Sequence, residues 1–370
     1  MKRMLMAMCI AAFAGATATA QQNEIAKYDP AMAVKNAVTT KGVKWIEGQY
    51  LPMEGRMFSN VDHFYDRLPA NVTTNVNGGV RSMKHHTSGL QFRFKTDSKF
   101  LHFKWVPYSG SLDMHHMPST GVSGIDVYRQ LPDGSWRYVK TGCITQPSGG
   151  SLRINWTPGE ACLVNLPLYN GVKSFKLGIA EQAKIEALEP RKSGVTKPVV
   201  FYGTSITHGG CCSRPGLSFV NIIGRRLDVP VVNLGFSGSG RMEMEMSQHL
   251  AAIDASCYVL DCLWNMKDPK LKNYEPFIRN LRALKPSVPI VMAEDCNVFH
   301  RNRTEKGKVV RALFEKLKSE GWKNIYWLGN EEMYKDDGEG TVDGCHPNDW
   351  GMMALADAFG GAVKTALGLK

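Results

Sequence analysis

The apolar positions of this chain follow two different rhythms. From Trp45 to about Ala187 they come in short alternating runs separated by turn residues. Leu90-Gln91-Phe92-Arg93-Phe94 alternates strictly, as a strand with one buried face does, and residues 100–106 do so approximately. Gly124-Ile125-Asp126-Val127-Tyr128, then Leu131-Pro132-Asp133-Gly134, then Trp136-Arg137-Tyr138-Val139 reads as strand, turn, strand. Residues 172–179 alternate again. Many short strands at this spacing predict a β-sandwich of jelly-roll type over residues 44–188, entered through a polar lead-in at 21–43.

Glu189-Pro190-Arg191-Lys192-Ser193-Gly194 reads as part of a linker over 189–197, and beyond it the rhythm changes. Short, continuously apolar runs at 198–202, 229–234, 257–262, 289–293 and 325–328 alternate with helical patterns at 218–227, 242–252, 274–284, 304–321 and 350–367. Buried strands alternating with helices predict a doubly wound α/β sheet over residues 198–370. Such sheets bind ligands beyond the carboxyl ends of their strands.

Composition narrows the class. Hydrophobic residues make up 43% and charged residues 21% of the chain, a globular rather than a disordered balance. Lys2 and Arg3, an apolar stretch from Met4 to roughly Gly15, and Ala18-Thr19-Ala20 form a signal peptide over residues 1–20, cut before Gln21. Cys9 sits inside the apolar region, too early for a lipidated cysteine. No later run is long enough to span a bilayer, so an exported protein without a membrane span is expected, in the periplasm, at the cell surface or outside the cell.

The formal charge of +11 includes Lys2 and Arg3. No run of five or more basic residues occurs, which argues against a nucleic-acid partner. Either the charge is spread over the surface, or it attracts an anionic polymer such as an acidic polysaccharide. Export permits disulfides. Cys143 and Cys162 flank one expected hairpin and are candidates to pair, and one or two bridges are expected. No C-x-x-C pair points to a metal.

The candidate chemistry lies in four blocks. Gly203-Thr204-Ser205-Ile206-Thr207, Asn233-Leu234-Gly235-Phe236-Ser237-Gly238 and Asp261-Cys262-Leu263-Trp264-Asn265 each follow an apolar run, and Asp343-Gly344-Cys345-His346-Pro347 precedes the last helix. A serine hydroxyl is a poor nucleophile until a base takes its proton, and that base needs an orienting partner. Ser205 stands at a strand-to-helix turn; His346 is the candidate base, and Asp343, three residues earlier, can hold its imidazole. The N–H groups of Ser205 and Gly238 and the amide of Asn265 are candidate donors to an oxyanion. Glycine at 238 allows close backbone approach. This chemistry calls for no metal and no organic cofactor.

The ordered set resembles the SGNH (GDSL-type) hydrolase superfamily over about residues 198–370. The resemblance implies a three-layer α/β/α, flavodoxin-like fold, with Ser205 as nucleophile, Gly238 and Asn265 as oxyanion donors, and Asp343 with His346 completing a triad. Thr204 stands where the family usually has aspartate, and Leu-Trp-Asn-Met stands where many members have Gly-x-Asn-Asp. Gly124–Tyr128 is similar to the Gly-x-Asp-Leu-Tyr signature of a β-domain that precedes some bacterial SGNH esterases, with valine for leucine. Together they imply an esterase that removes acetyl groups from an acylated poly- or oligosaccharide. The alternatives are an esterase, lipase or thioesterase acting on non-carbohydrate acyl groups, and a glycan-binding protein with a degenerate hydrolase domain.

Other positions carry two readings each. Trp264 is a wall of the acyl pocket or a core residue. His208 contacts substrate, acts as the base, or supports the helix start. Asn297, with His300 and Arg301, ends the fourth strand and binds sugar or forms a solvated loop. His85-His86 and His115-His116 are expected on surface loops, because adjacent side chains diverge. Asp126 and Tyr128 are expected to be structural in the β-domain. Met242, Met244 and Met246 are expected in core packing. The β-domain is expected to support the fold or shape the site.

Overall fold

The computed structural model describes residues 35–267, 270–296, 304–333 and 338–370. The signal peptide, most of the lead-in, and Asn297, His300 and Arg301 lie outside the described residues.

Short antiparallel strands fill the first half: β1 (Val38–Thr40), β2 (Val43–Glu47), β3 (Met53–Glu54), β4 (Gln91–Thr96), β5 (Phe100–Pro107), β6 (Ile125–Gln130), β7 (Trp136–Gly142), β8 (Gly150–Asn155), β9 (Ala161–Asn165), β10 (Val172–Ala180) and β11 (Ile185–Glu186). One sheet runs β1-β2-β10-β5-β8 and the other β11-β4-β9-β6-β7, with β3 paired to β4. Alternation along each strand sends one face inward. Ile46, Phe103, Trp105 and Phe175 of the first sheet meet Phe92, Phe94, Ile125 and Val164 of the second in one core. The Phe92 and Phe175 rings lie 4.6 Å apart. This is the jelly-roll-like sandwich that the alternation predicts. β9 escapes the alternation cue because all of its residues are buried.

The second half forms a parallel sheet of β12 (Val199–Gly203), β13 (Val231–Gly235), β14 (Cys257–Asp261), β15 (Ile290–Ala293) and β16 (Ile325–Leu328), in the order β13-β12-β14-β15-β16. The period of two sorts their side chains into two layers. Val200, Tyr202, Val232, Leu234 and Leu260 face the helices Met244–Ala251, Tyr274–Leu284 and Glu305–Ser319. Val199, Phe201, Val231, Val259 and Val291 face Phe219–Arg226 and Asp349–Leu367. The order is that of a flavodoxin-like sheet, whose switch point lies where β12 is flanked by β13 and β14. No helix among the described residues is long and apolar enough to cross a membrane.

The expected disulfides do not form: the cysteines among the described residues are free thiols. Cys143 follows β7 and Cys162 lies in β9, and β6 runs between those strands. Two strand spacings amount to about 10 Å, beyond the Cα separation that a disulfide bridges.

Buried polar groups tie the halves together. Asp126, fully buried, accepts hydrogen bonds from Asn165 Nδ2, Arg214 Nη1 and the Gly216 N–H, each at 2.8 Å. Arg214 also donates to the Tyr128 hydroxyl. Asp126 and Tyr128 are therefore structural, but they act across the boundary with the parallel-sheet half rather than within the β-sandwich alone. Glu54 is buried against Arg93 at 2.8 Å and Arg191 at 2.5 Å, and Arg191 reaches Asp228 at 3.0 Å. Burial alone would raise the Glu54 pKa; the two guanidinium groups outweigh it and keep the carboxyl below its ordinary range.

Candidate functional site

β12, β13 and β14 end side by side, in register at Gly203, Gly235 and Asp261. Each then turns sharply and presents one of the predicted blocks. After β12, Thr204 caps the short helix Ser205–His208, its hydroxyl accepting from the Ile206 N–H at 3.3 Å. The residue that departs from the family pattern thus serves as an ordinary helix cap. Ser205 occupies the first helical position, whose N–H has no acceptor within the helix.

The turn after β13 carries Gly238 at φ +63°, a left-handed conformation that glycine adopts without a Cβ penalty. The turn after β14 places Trp264 and Asn265 in a single 3₁₀ turn. Gly235 shows how closely these segments pack. A Cβ there would lie 2.2 Å from the His208 backbone nitrogen.

The fourth block arrives from the far end of the chain. Ser205 Oγ lies 2.9 Å from His346 Nε2, and His346 Nδ1 lies 2.7 Å from Asp343 Oδ2. The other Asp343 oxygen accepts from the backbone N–H of His346 at 2.7 Å and of Cys345 at 2.9 Å. Burial would raise the Asp343 pKa; these backbone donors and the imidazole overcome that and hold it at about 2. An ionised Asp343 makes His346 Nδ1 the protonated nitrogen and leaves Nε2 to accept from the serine hydroxyl.

Ser205, Gly238, Trp264, Asn265 and His346 line one open cleft of about 650 Å³. Asn265 Nδ2 is buried and has no hydrogen-bond partner among the described residues. An unpaired buried donor is costly, and one aimed at a cleft is set to meet an acceptor brought by a ligand. The arrangement joins a proton acceptor at a hydroxyl to donors around the adjacent space. Acyl transfer requires both.

Trp264 lies on this cleft, with the Lys306 ammonium 5.2 Å from its ring centroid. His208 does not. It is fully buried, stacked on Tyr169 at 4.2 Å, with Nε2 3.3 Å from His86 Nδ1 and Nδ1 3.4 Å from the Ser237 N–H. Burial, Arg67 and His86 push its pKa well down, which keeps it neutral. Of the readings for His208, this burial favours the support, beneath the Ser237–Gly238 turn. Met242 and Met246 are buried as expected, whereas Met244 is exposed.

The β-sandwich half contributes residues that sequence reasoning missed. The Tyr169 hydroxyl donates to the Ser205 carbonyl at 3.2 Å. Ser88 Oγ donates to the His208 carbonyl at 2.7 Å. The His116 ring lies 6.0 Å from that of His346. His86 and His116 are partly enclosed rather than on free loops; burial, Arg67 and His85 push His86 down to about 3. These residues carry no local motif. Arg241, Lys267 and Lys270 also line the cleft, and proximity to Gly238 and Asn265 was the available signal.

Two clusters gather atoms of a kind that bind metals: Asp343, Cys345 and His346, and Asp62, Asp66 and His85. In the first, His346 Nδ1 and both Asp343 oxygens are committed to one another and to backbone N–H groups. In the second, Lys84 pairs with Asp62 and His85 with Asp66.

Comparison with known proteins fits this geometry. A model of the GDSL-like lipase/acylhydrolase family matches residues 196–364. A second model, the N-terminus of SGNH-hydrolase-type esterases, matches residues 43–185. Among solved structures, a Bacteroides ovatus protein assigned to the GDSL-like lipases superposes with a TM-score of 0.79 at 26% identity, over 89% of this chain and 99% of that one. The salicylyl-acyltransferase SsfX3 of a tetracycline biosynthetic pathway gives 0.69 at 17% identity, over 90% and 99%. A family two carbohydrate esterase from Clostridium thermocellum, in complex with cellohexaose, gives 0.54 at 13% identity, over 76% and 93%. No curated protein matches the chain.

Proposed function

We propose, from the match of residues 196–364 to a model of the GDSL-like lipase/acylhydrolase family, an exported serine esterase that removes small acyl groups, chiefly acetyl, from a carbohydrate. The family supports acyl-ester hydrolysis. The likeness to a carbohydrate esterase in fold and the signal-like residues 1–20 support the narrower reading. The observation that carries the chemistry is the continuous chain from Ser205 Oγ through His346 to Asp343, at 2.9 and 2.7 Å, beside the unpaired Asn265 amide.

In this reading Ser205 Oγ bonds to the ester carbonyl carbon as its proton passes to His346 Nε2. Asp343 stabilises the imidazolium without taking the proton. The Ser205 N–H, the Gly238 N–H and Asn265 Nδ2 hold the oxygen that becomes negative. Collapse breaks the bond to the sugar oxygen, which leaves with the proton from His346. Water then enters with His346 as base, the acyl–serine bond breaks, and acetate departs with Ser205 restored.

The test is acetate release from an activated acetyl ester and from a panel of acetylated glycans. Ser205→Ala is expected to lose turnover while its melting temperature holds. Undiminished turnover in that variant defeats the assignment, and a preference for long acyl chains defeats the acetyl reading.

A further inference from the structure

We propose that the cleft beside Ser205 contains an anion subsite, in which Arg241, Lys267 and Lys270 select an acylated sugar chain bearing carboxylate or sulfate groups. This deepens the esterase reading and rests on it for the identity of the acyl chemistry.

Three features of the cleft support the subsite. First, among the described residues its lining contains three formally cationic side chains and no carboxylate. Asp343, two residues before Cys345, is committed to His346 and two backbone N–H groups. Second, among the described residues Arg241, Lys267 and Lys270 have no ion-pair partner. Other cations do have carboxylate partners, as Lys84 has Asp62, Arg226 has Asp357 and Lys316 has Glu275. Third, Arg241 Nε is buried with no hydrogen-bond partner, on a side chain that reaches the cleft. Gathering like charges around a concave site without a counter-charge is unfavourable for the free protein, and a bound anion removes that cost.

The chemistry points to a planar or tetrahedral oxyanion on the sugar rather than to a neutral glycan. A guanidinium presents parallel donors that match carboxylate and sulfate geometry, and two ammonium groups add point charge beside it. A long acyl chain would meet the same cations and gain nothing from them. The formal charge of +11, which is +9 without Lys2 and Arg3, acts in the same direction, raising the encounter rate with a polyanion.

Binding to the full chain carrying Ser205→Ala tests this independently of hydrolysis. Oligogalacturonides, their neutral methyl esters and chondroitin sulfate oligosaccharides are titrated calorimetrically at low salt and at about 150 mM salt. At least one acidic oligosaccharide is expected to bind at least about tenfold more tightly than the methyl ester. That advantage should shrink with salt and vanish when Arg241→Gln, Lys267→Gln and Lys270→Gln are added. Whichever anion binds more tightly identifies the sugar's charged group. Equal affinity for charged and neutral chains, an advantage that survives the three substitutions, or no binding of any charged chain overturns the proposal. The Lys267→Gln, Lys270→Gln pair, on exposed and half-buried positions, repeats the test without altering the half-buried arginine. A protein that hydrolyses no ester can still pass this test, and an active esterase can fail it.

Discussion

Arg67 Nη1 lies 2.9 Å from the carbonyl oxygen of Gly235. The same nitrogen donates to the Asn233 carbonyl at 3.0 Å, and Nη2 donates to Met83 at 2.9 Å. Burial brings the Arg67 pKa down to about 9, so the group is still cationic at neutral pH. A buried cation from the β-sandwich half thus grips the end of β13, where the chain turns towards Gly238.

Arg67→Met is expected to destabilise the protein by about 2–4 kcal/mol, because it strands the buried Asn233 and Gly235 carbonyl oxygens and loses the contact with Met83. The decisive measurement is the urea midpoint. Activity should fall with it, since the turn bearing Gly238 loses its anchor. An unchanged midpoint would show that the contact between the halves contributes little.

Asn265→Ala separates catalysis from stability. Its amide has no partner in the free protein, so the melting temperature should hold or rise slightly. If the amide meets the oxyanion, kcat drops by roughly 10²–10³ with KM little changed. A loss confined to KM would assign Asn265 to substrate binding instead.

Asp343→Asn removes the charge that fixes the His346 tautomer, and kcat should fall by roughly 10⁴ at constant fold. The Asp343 carboxyl is depressed from its ordinary value to about 2. It stays ionised down to that pH, so any acid limb of the activity profile above about pH 3 belongs to another group. The check is a kcat/KM profile for both proteins; an activity loss under tenfold in Asp343→Asn contradicts the role.

Asp261 gives a pH signature in stability. Burial, with Asp295 nearby, raises its pKa from 3.8 to about 7 against the hydrogen bond from Thr207. Its folded pKa lies above the unfolded value, so its contribution is full below pH 3.8 and is lost as pH rises towards 7. Asp261→Asn should flatten the fall in unfolding free energy between pH 4 and pH 7 relative to the parent. Parallel curves for the two proteins would show that Asp261 is ionised in the fold throughout that range.

The free thiols are checked by labelling. Cys143 is exposed, whereas Cys162, Cys212, Cys257 and Cys262 are fully buried. Native protein should react quickly at Cys143 and label fully only after denaturation, with no change on adding reductant. A Cys143–Cys162 peptide in a non-reduced digest would contradict the strand order.

The periodicities of two and of strand–helix alternation were enough to read the two architectures, because each strand has to bury one face or both. The same logic placed Ser205, Gly238 and Asn265 at strand ends. It missed β9, whose two buried faces erase the alternation. It read the histidine pairs as surface loop residues; they do lie in loops, but His86 is packed against His208.

The sequence alone singled out the residues proposed to carry chemistry, since a serine, a histidine–aspartate pair and glycine turns declare themselves locally. Only the tertiary structure decided how they are held. Tyr169 reaches Ser205 from 36 positions away, Arg67 reaches Gly235 across 168, and Asp126 reaches Arg214 across 88. Tertiary packing also kept Cys143 from Cys162, enclosed His208, and drew Arg241, Lys267 and Lys270 into one cleft. Such contacts depend on chain segments meeting in space, where burial and desolvation set their energy, and no local pattern encodes that meeting.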